Sequence, residues 1–571
     1  MKRVSIKIAG AAGEGIKTPG VIIAKALKRC GYYTFGYTEY PSLVKGGHNT
    51  FQVDISDEKI SSSKSRTDIL LSLNIKSLKK ELQNVEDNGI IFYAGKEQDL
   101  AKESLDNFDI KCVDTSKIAE SAGGTKIMQN TAILGFLFGA LGVSLDVVKE
   151  IFKEFFGGNP ELLEKNIKVL EAGNKAYEDS GYKKINLNFN QSEDSKNQIV
   201  VTGNEALALS AIASGVRMFS AYPMTPATSI LTMLAKFGPK YGMQINQMDD
   251  EIAVIQTCLA ANFAGTRALC ATSGGGMALM SETLGFAGLS ETPLVMIDAS
   301  RSGPATGIPT WHAQDDIRAA VGNTPSDIPK VVVAPGDAKE CFEDLKDALD
   351  ISEVYQIPVI LITDKFMAET NYCEDLDGFC VKEINRGKLE HGEVEEGFKR
   401  FDVSNNVSRR TYPGVKNGYF VASSDEHDEY GRSIDYDPIR NKMMEKRMGK
   451  LNLIERELRD PKFYGDDSAD ISIISHGSNK GPILDAIREL RRNGAKVNFM
   501  HVEYVFPLKK GPVMEFLSNA KKSILIEANY SGQFGEVIRQ KTLMDVDEKI
   551  LRYDGRPFFV DELVKKLEVL L

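Results

Sequence analysis

Residues 4–9 form a short apolar run, Gly10-Ala-Ala-Gly13-Glu-Gly15 a turn, and residues 16–29 an apolar-periodic stretch that stops near Gly31. A short apolar run bounded by turn residues predicts a strand, and a 3.6-residue period predicts a helix. The same order recurs down the chain. Strands are predicted at 68–73, 89–93, 199–202, 218–221, 267–272, 293–298, 331–333 and 358–363. Helical spacing fills 205–213, the stretches opening at Asp250 and Met277, and 338–351. A last alternation places strands at 471–474, 497–502 and 523–527, with a helix opening at Pro482 and running to Arg492. Strands alternating with helices predict an α/β protein built on parallel sheets.

The 571 residues exceed what one core holds, so several doubly wound α/β domains are expected. Residues 1–184 read as one unit and the polar segment 185–198 as a linker. Residues 199–374 read as a second unit. Residues 375–465, rich in charge and turn residues with a helix at 439–458, read as an extension that wraps or links. Residues 466–571 read as a last α/β unit. No repeat of solenoid length is present.

Charge and cysteine usage narrow the function. A net charge of −10 leaves no basic excess to meet nucleic-acid phosphates. No apolar run approaches the ~18 residues a membrane span needs. The first ten residues are too charged for a signal peptide, so a cytoplasmic location is expected. Cys30, Cys112, Cys258, Cys270, Cys341, Cys373 and Cys380 form no Cys-x-x-Cys pair, and the six histidines form no His-Glu-x-x-His. Neither a disulfide framework nor a metal or iron–sulfur site is expected in this chain. If the protein does redox chemistry, the electron carrier is expected elsewhere.

The candidate chemistry lies between residues 203 and 314, where each motif follows a predicted strand. Ligands of open α/β sheets bind beyond the carboxyl ends of the strands. In Tyr222-Pro223-Met224-Thr225-Pro226 two prolines fix the loop and present Thr225 as a preorganised hydroxyl. The plainer account is a stiff connection with Thr228 or Ser229 capping the next helix. Asp249-Asp250-Glu251 suits the positive end of a helix, or turns one carboxylate inward as a proton donor or acceptor. Thr272-Ser273-Gly274-Gly275-Gly276 allows a ligand, or another backbone, to come close. Arg301, in a Gly/Pro-rich loop, matches a carboxylate bidentately; the plainer partner is Asp298 or Asp315.

Two N-terminal motifs are weaker. Gly10, Gly13 and Gly15 open a helix, where amides can hold phosphate, but their spacing reverses the dinucleotide fingerprint, and a tight turn also accounts for them. The segment from Pro41 to His48 reads as a basic anion loop or a surface turn. Enzymes of thiamine diphosphate hold the diphosphate and its metal with Gly-Asp-Gly, and the chain has none. It shows no Walker loop, Ser-His-Asp order or kinase set either.

Taken together these residues resemble a family. Gly203-Asn-Glu-Ala, Tyr222-Pro-Met-Thr-Pro226, Glu251, Ala271-Thr-Ser-Gly-Gly-Gly276 and the loop Arg301 to Thr310 look like the α subunit of the 2-oxoacid:ferredoxin oxidoreductases. Thr38-Glu-Tyr-Pro-Ser-Leu43 and Gly46-Gly-His48 are similar to the γ domain of that family, here fused at the N-terminus. Glu426-His-Asp-Glu-Tyr-Gly431 and Glu527-Ala-Asn-Tyr-Ser-Gly-Gln533 look like its later landmarks. Met224, Ala227 and Ser302 depart from the usual residues without removing a group to which a role is given.

The resemblance implies a pyrimidine-binding domain for thiamine diphosphate and a C-terminal domain like that of transketolase. It implies a β partner that brings the diphosphate site, Mg2+ and a [4Fe-4S] cluster, in an αβ or (αβ)2 assembly. Glu251 would bind the aminopyrimidine and favour its imino form, with Tyr222 and Pro223 beside the cofactor. Arg301 and Thr225 would bind the substrate carboxylate, and Thr306 and Thr310 would line the pocket. The implied reaction is decarboxylation of a 2-oxoacid with coenzyme A as acyl acceptor and ferredoxin as electron acceptor. The γ–α fusion looks most like the 2-oxoglutarate type. Pyruvate, branched-chain or aryl 2-oxoacids, and a structural subunit without cofactor, are the alternatives. A nicotinamide dehydrogenase is disfavoured by the glycine spacing.

Overall fold

A computed structural model describes residues 2–571 apart from 44, 45, 104, 106, 107, 323, 382 and 467. Three sheets organise it. In the first, the strands Ile110–Cys112, Val85–Tyr93, Thr67–Ser72 and Val4–Ala12 run parallel, followed by Gly46–Ser56, Tyr33–Glu39, Asn371–Asp375 and Gln198–Thr202 in antiparallel order. The strand at 198–202 thus does not start the second unit's sheet, as the alternation suggests. Together with Asn371–Asp375 it covers the edge that Tyr33–Glu39 would otherwise expose. An apolar run predicts a strand but not its neighbour.

The hairpin Tyr33–Glu39/Gly46–Ser56 was not predicted. One face of its second strand carries Phe51, Val53 and Ile55, the other Gln52, Asp54 and Ser56, and all six are buried. Buried polar residues on alternate positions look like a solvent face in sequence. Of the segment from Pro41 to His48, residues 44 and 45 lie outside the described residues. Gly46 to His48 open the second hairpin strand, and His48 contacts Ser77 and Glu81 (3.2 and 2.5 Å).

The middle sheet has the order Tyr504–Phe506, Val331–Val333, Pro358–Asp364, Leu294–Ser300, Ala268–Thr272, Met218–Ala221, Gln244–Gln247. All pairs are parallel except the first, a strand lent by the last unit. The third sheet comprises Lys462–Tyr464, Val497–His501, Ile471–Ser475, Ser523–Glu527 and Glu548–Leu551. Among the described residues no helix is long and apolar enough to cross a membrane.

From 383 to 436 the chain has neither helix nor strand and is pinned by buried charges. Arg267 meets Glu353 and Asp350, and Glu353 also takes Arg386 and Arg410 from the extension. Fully buried Glu291 accepts from Lys446 and Lys450 on the helix Asp437–Glu457, while Arg400 donates to the Glu291 carbonyl. The Glu426 carboxylate is held by Arg440 and Arg447, and His427 is buried against Phe401. Glu426 thus ties the extension to its own helix, and His427 reaches the middle unit through the Leu289 carbonyl at 3.3 Å. Removing one member of a buried ion pair leaves the other charge stranded, at a cost of about 3–5 kcal/mol. We expect Glu353→Gln, which removes the carboxylate that Arg386 and Arg410 share, to free the segment 383–436 for proteolysis; cleavage there no faster than in the wild type would show that these pairs do not hold the wrap.

Candidate active site

Four neighbouring strands of the middle sheet end side by side, and each hands over to one motif. Met218–Ala221 leads to the Tyr222 loop, Gln244–Gln247 to Asp249–Glu251, Ala268–Thr272 to the triple glycine, and Leu294–Ser300 to Arg301. Parallel pairing brings all four motifs to one edge, beyond the carboxyl ends.

The acidic trio divides its work. Asp250 caps the helix Glu251–Phe263, accepting from Ala253 N at 2.8 Å. Glu251 turns inward and is only 6% exposed; its carboxylate accepts no hydrogen bond from the described residues and, unlike that of Asp298, is not sealed from solvent. It packs against Gly276, where an added Cβ would lie 2.7 Å from Glu251 Cγ and 2.0 Å from Thr272 Oγ1. The third glycine is therefore required by the packing of this carboxylate.

Arg301 is fixed by the Tyr-Pro loop: its Nη1 donates to the Thr225 carbonyl at 2.8 Å, and its buried Nε has no partner. Among the described residues it forms no close ion pair with Asp298 or Asp315, so the plainer account of this arginine does not hold. Asp315 instead accepts from Gly303 N at 3.0 Å. Burial lowers the Arg301 pKa, while Asp316, Asp298 and Glu251 pull it back up. Thr228 and Ser229 do not cap the helix Thr228–Phe237. Ser229 accepts from Asn204, which also donates to the Pro226 carbonyl (2.7 and 2.9 Å). The Gly203-Asn-Glu-Ala motif thus braces the loop that presents Thr225.

A cavity of about 630 Å³ opens beside Arg301, lined by Ser273, Gly274, Asp315, Asp316, Tyr530 and Tyr553 among others. The two tyrosines come from the last unit, are largely exposed and meet edge to face at 5.1 Å. The last unit is stitched to this mouth through Gln314, whose side chain accepts from Asn479 and Ala528 N (2.7 and 3.0 Å). Asn529 donates to the Gln314 carbonyl and to Glu527 (2.8 and 2.6 Å). The Glu527 to Gln533 landmark therefore closes one side of the cavity.

Arg301 lines the cavity and is joined to the Thr225 carbonyl, and Glu251 lies within the field of Arg301; neither Thr225 nor Glu251 is itself a lining residue. Tyr222 and Pro223 lie exposed on the rim. Thr306 is exposed at the tip of its loop, and Thr310 is buried with a hydroxyl that has no partner. Neither lines the cavity. Sequence reasoning missed Asp316 and gave Asp298 only a salt-bridge role. The structure sets them near each other, Asp298 fully buried and Asp316 on the wall of the cavity that Arg301 also lines. The one signal in the sequence was an unexplained pair of acids, Asp315 and Asp316, directly after the arginine loop.

Two other sites are filled by the protein itself. At the N-terminal glycines, the Glu14 carboxylate accepts from Ala11 N and Asn74 (2.7 and 2.8 Å), so the chain's own carboxylate occupies the place of an anion. Glu340, His501 and Glu503 gather with their ligand atoms within 4.8 Å of one another. Lys462 donates to both glutamates (2.6 and 2.7 Å) and Lys480 donates to Glu340. With both acids already met by ammonium groups, we assign no cation there.

Residues 210–446 match the family described as pyruvate flavodoxin/ferredoxin oxidoreductase, thiamine diphosphate-binding. Residues 5–176 match pyruvate ferredoxin/flavodoxin oxidoreductase, and 469–563 match pyruvate:ferredoxin oxidoreductase core domain II. The 2-oxoacid:ferredoxin oxidoreductase subunit alpha of a Sulfolobus species is 30% identical over 99% of this chain and 96% of its own length. The 2-oxoglutarate oxidoreductase subunit KorA of Mycobacterium tuberculosis is 27% identical, covering 99% and 91%. A solved structure of 2-oxoglutarate:ferredoxin oxidoreductase from Magnetococcus marinus, with 2-oxoglutarate, coenzyme A and succinyl-CoA bound, superposes with a TM-score of 0.91 at 29% identity, covering 100% of this chain and 99% of that one. With its site on one sheet edge and relatives matching end to end, the chain belongs to the α-type subunits of the 2-oxoacid:ferredoxin oxidoreductases.

Proposed function

We propose that this chain is the γ–α fused catalytic subunit of an enzyme that converts 2-oxoglutarate and coenzyme A to succinyl-CoA and carbon dioxide, passing electrons to ferredoxin. The observation that carries the reading is Glu251: a buried carboxylate with no donor from the described residues, facing Arg301 at one mouth. A buried carboxylate needs a partner, and the aminopyrimidine of thiamine diphosphate is one that fits. The mouth is rimmed by exposed apolar side chains, Tyr222, Ile252, Leu279 and Ile308, as expected of a surface that another subunit covers.

Thiamine diphosphate, when bound, supplies an electron sink for decarboxylation. Glu251 would hold the pyrimidine ring and exchange a proton with it, and Tyr222 and Pro223 would lie beside it. Arg301 pairs with the substrate carboxylate and excludes neutral ligands, while the Thr225 hydroxyl donates to the same group. Thr306 and Thr310 complete the substrate side. The β-type subunit brings the diphosphate site, Mg2+ and the [4Fe-4S] cluster, and the assembly is αβ or (αβ)2 in the cytoplasm. The relatives named for 2-oxoglutarate favour that substrate.

Two variants of the assembled complex test these roles by reduction of methyl viologen. Glu251→Ala is expected to lower turnover by at least ~100-fold, the scale of a positioned acid–base group, with subunit assembly unchanged; near-normal turnover would remove Glu251 from the mechanism. Arg301→Lys is expected to lower kcat/KM for the 2-oxoacid about 10- to 100-fold, the worth of a charged hydrogen bond that lysine cannot remake. An unchanged kcat/KM would exclude Arg301 as the carboxylate ligand.

A further inference from the structure

Asp298 lies near the end of the strand Leu294–Ser300 and is fully buried. Neither of its oxygens, nor Oδ2 of Asp316, meets a donor from the protein. The two carboxyls are neighbours: Asp298 pairs across the sheet with Thr272, and Asp316 packs on Gly274 two residues further on, so each lies in the field of the other with no donor on these oxygens. Asp316 also borders the cavity beside Arg301 and packs over Gly274, where an added Cβ would lie 2.2 Å from Asp316 Oδ1. The pair therefore connects a buried carboxyl to the wall of the cavity.

The charged groups facing this pair are few. Arg301 follows the same strand, Asp315 precedes Asp316, and Glu251 lies across Arg301. Asp315 in turn feels His312 and Glu527. With one proton shared by the two aspartates, their single remaining charge balances Arg301.

We propose that the Asp298–Asp316 pair is a proton acceptor coupled to Arg301, taking up one proton when a substrate carboxylate pairs with that arginine. The inference rests on the reading of Arg301 as the carboxylate ligand. An arriving carboxylate satisfies the guanidinium that had balanced the aspartates and adds a like charge beside them. Both effects favour the neutral acid. Burial already raises Asp298 well above the usual carboxylate range and Asp316 to about 6, so a second proton is within reach near neutral pH. By linkage, the proton and the substrate each tighten the other's binding. The site thereby accepts an anion into an acidic mouth without gaining net negative charge, and affinity for 2-oxoacids falls as pH rises.

The test is calorimetric titration of the complex, assembled with its β-type subunit, using oxamate and N-oxalylglycine. Both keep the carboxylate and carbonyl of a 2-oxoacid but carry an amide that does not decarboxylate. Titrations in phosphate and in Tris separate binding heat from buffer protonation. About one proton taken up per ligand is expected near neutral pH, with Asp316→Asn, which removes the acceptor of that proton, abolishing the uptake while the ligand still binds. Wild-type binding with no buffer-dependent heat, or undiminished uptake in Asp316→Asn, would overturn the proposal. Asp316→Ala is the second variant should Asp316→Asn fail to assemble, with the same expected loss. A wild-type complex that turns over a 2-oxoacid but takes up no proton sinks this inference alone. One that neither turns over a 2-oxoacid nor binds either analogue sinks the reading of the site, and this inference with it.

Discussion

Keeping a carboxylate out of water costs several kcal/mol unless a donor meets it. Most buried acids of this protein are met: Glu291 by two lysines, Glu353 by three arginines, and Glu340 by two lysines. Asp298 is sealed with no donor on either oxygen, and Glu251 has none among the described residues; Asp298 lies on the strand that leads to Arg301, and both acids lie within the field of that arginine. An arrangement that leaves these two acids unmet places part of its instability where ligand and proton can relieve it.

The fold makes that arrangement affordable in structural terms because the mouth has rigid walls. Four parallel strands fix the starting points of the four motifs, and Asn204 ties down the loop that carries Thr225. Gln314, Glu527 and Asn529 lock the last unit against the arginine loop. The extension, which has no regular structure from 383 to 436, is held by ion pairs well away from the mouth. The protein thus separates charges that fasten from charges that wait for a ligand.

Much of this was legible from residue order alone. Apolar runs placed most strands of the middle and last sheets, and the punctuation by Pro, Gly and Arg marked the sheet edge where the four motifs gather. Sheet membership was not legible: the strand at 198–202 is the same apolar run whichever sheet receives it, and the hairpin strand Gly46–Ser56 hid behind buried Gln52 and Asp54. The Asp298–Asp316 pair was invisible for a related reason. The two residues are far enough apart in sequence that only the turn of the arginine loop brings them near each other. The N-terminal glycines looked open to a phosphate until Glu14 was seen to fill the turn.

The central claim is that this chain carries half of an active site for 2-oxoacids. The most direct measurement is methyl viologen reduction by the chain alone, and by the chain with the family's β-type subunit, given thiamine diphosphate, coenzyme A and a panel of 2-oxoacids. The account predicts reduction by the complex and none by the chain alone, with 2-oxoglutarate the preferred substrate. Reduction with another 2-oxoacid would keep the mechanism and replace the substrate. No reduction with any 2-oxoacid, by a complex shown to hold cluster and cofactor, would contradict the account.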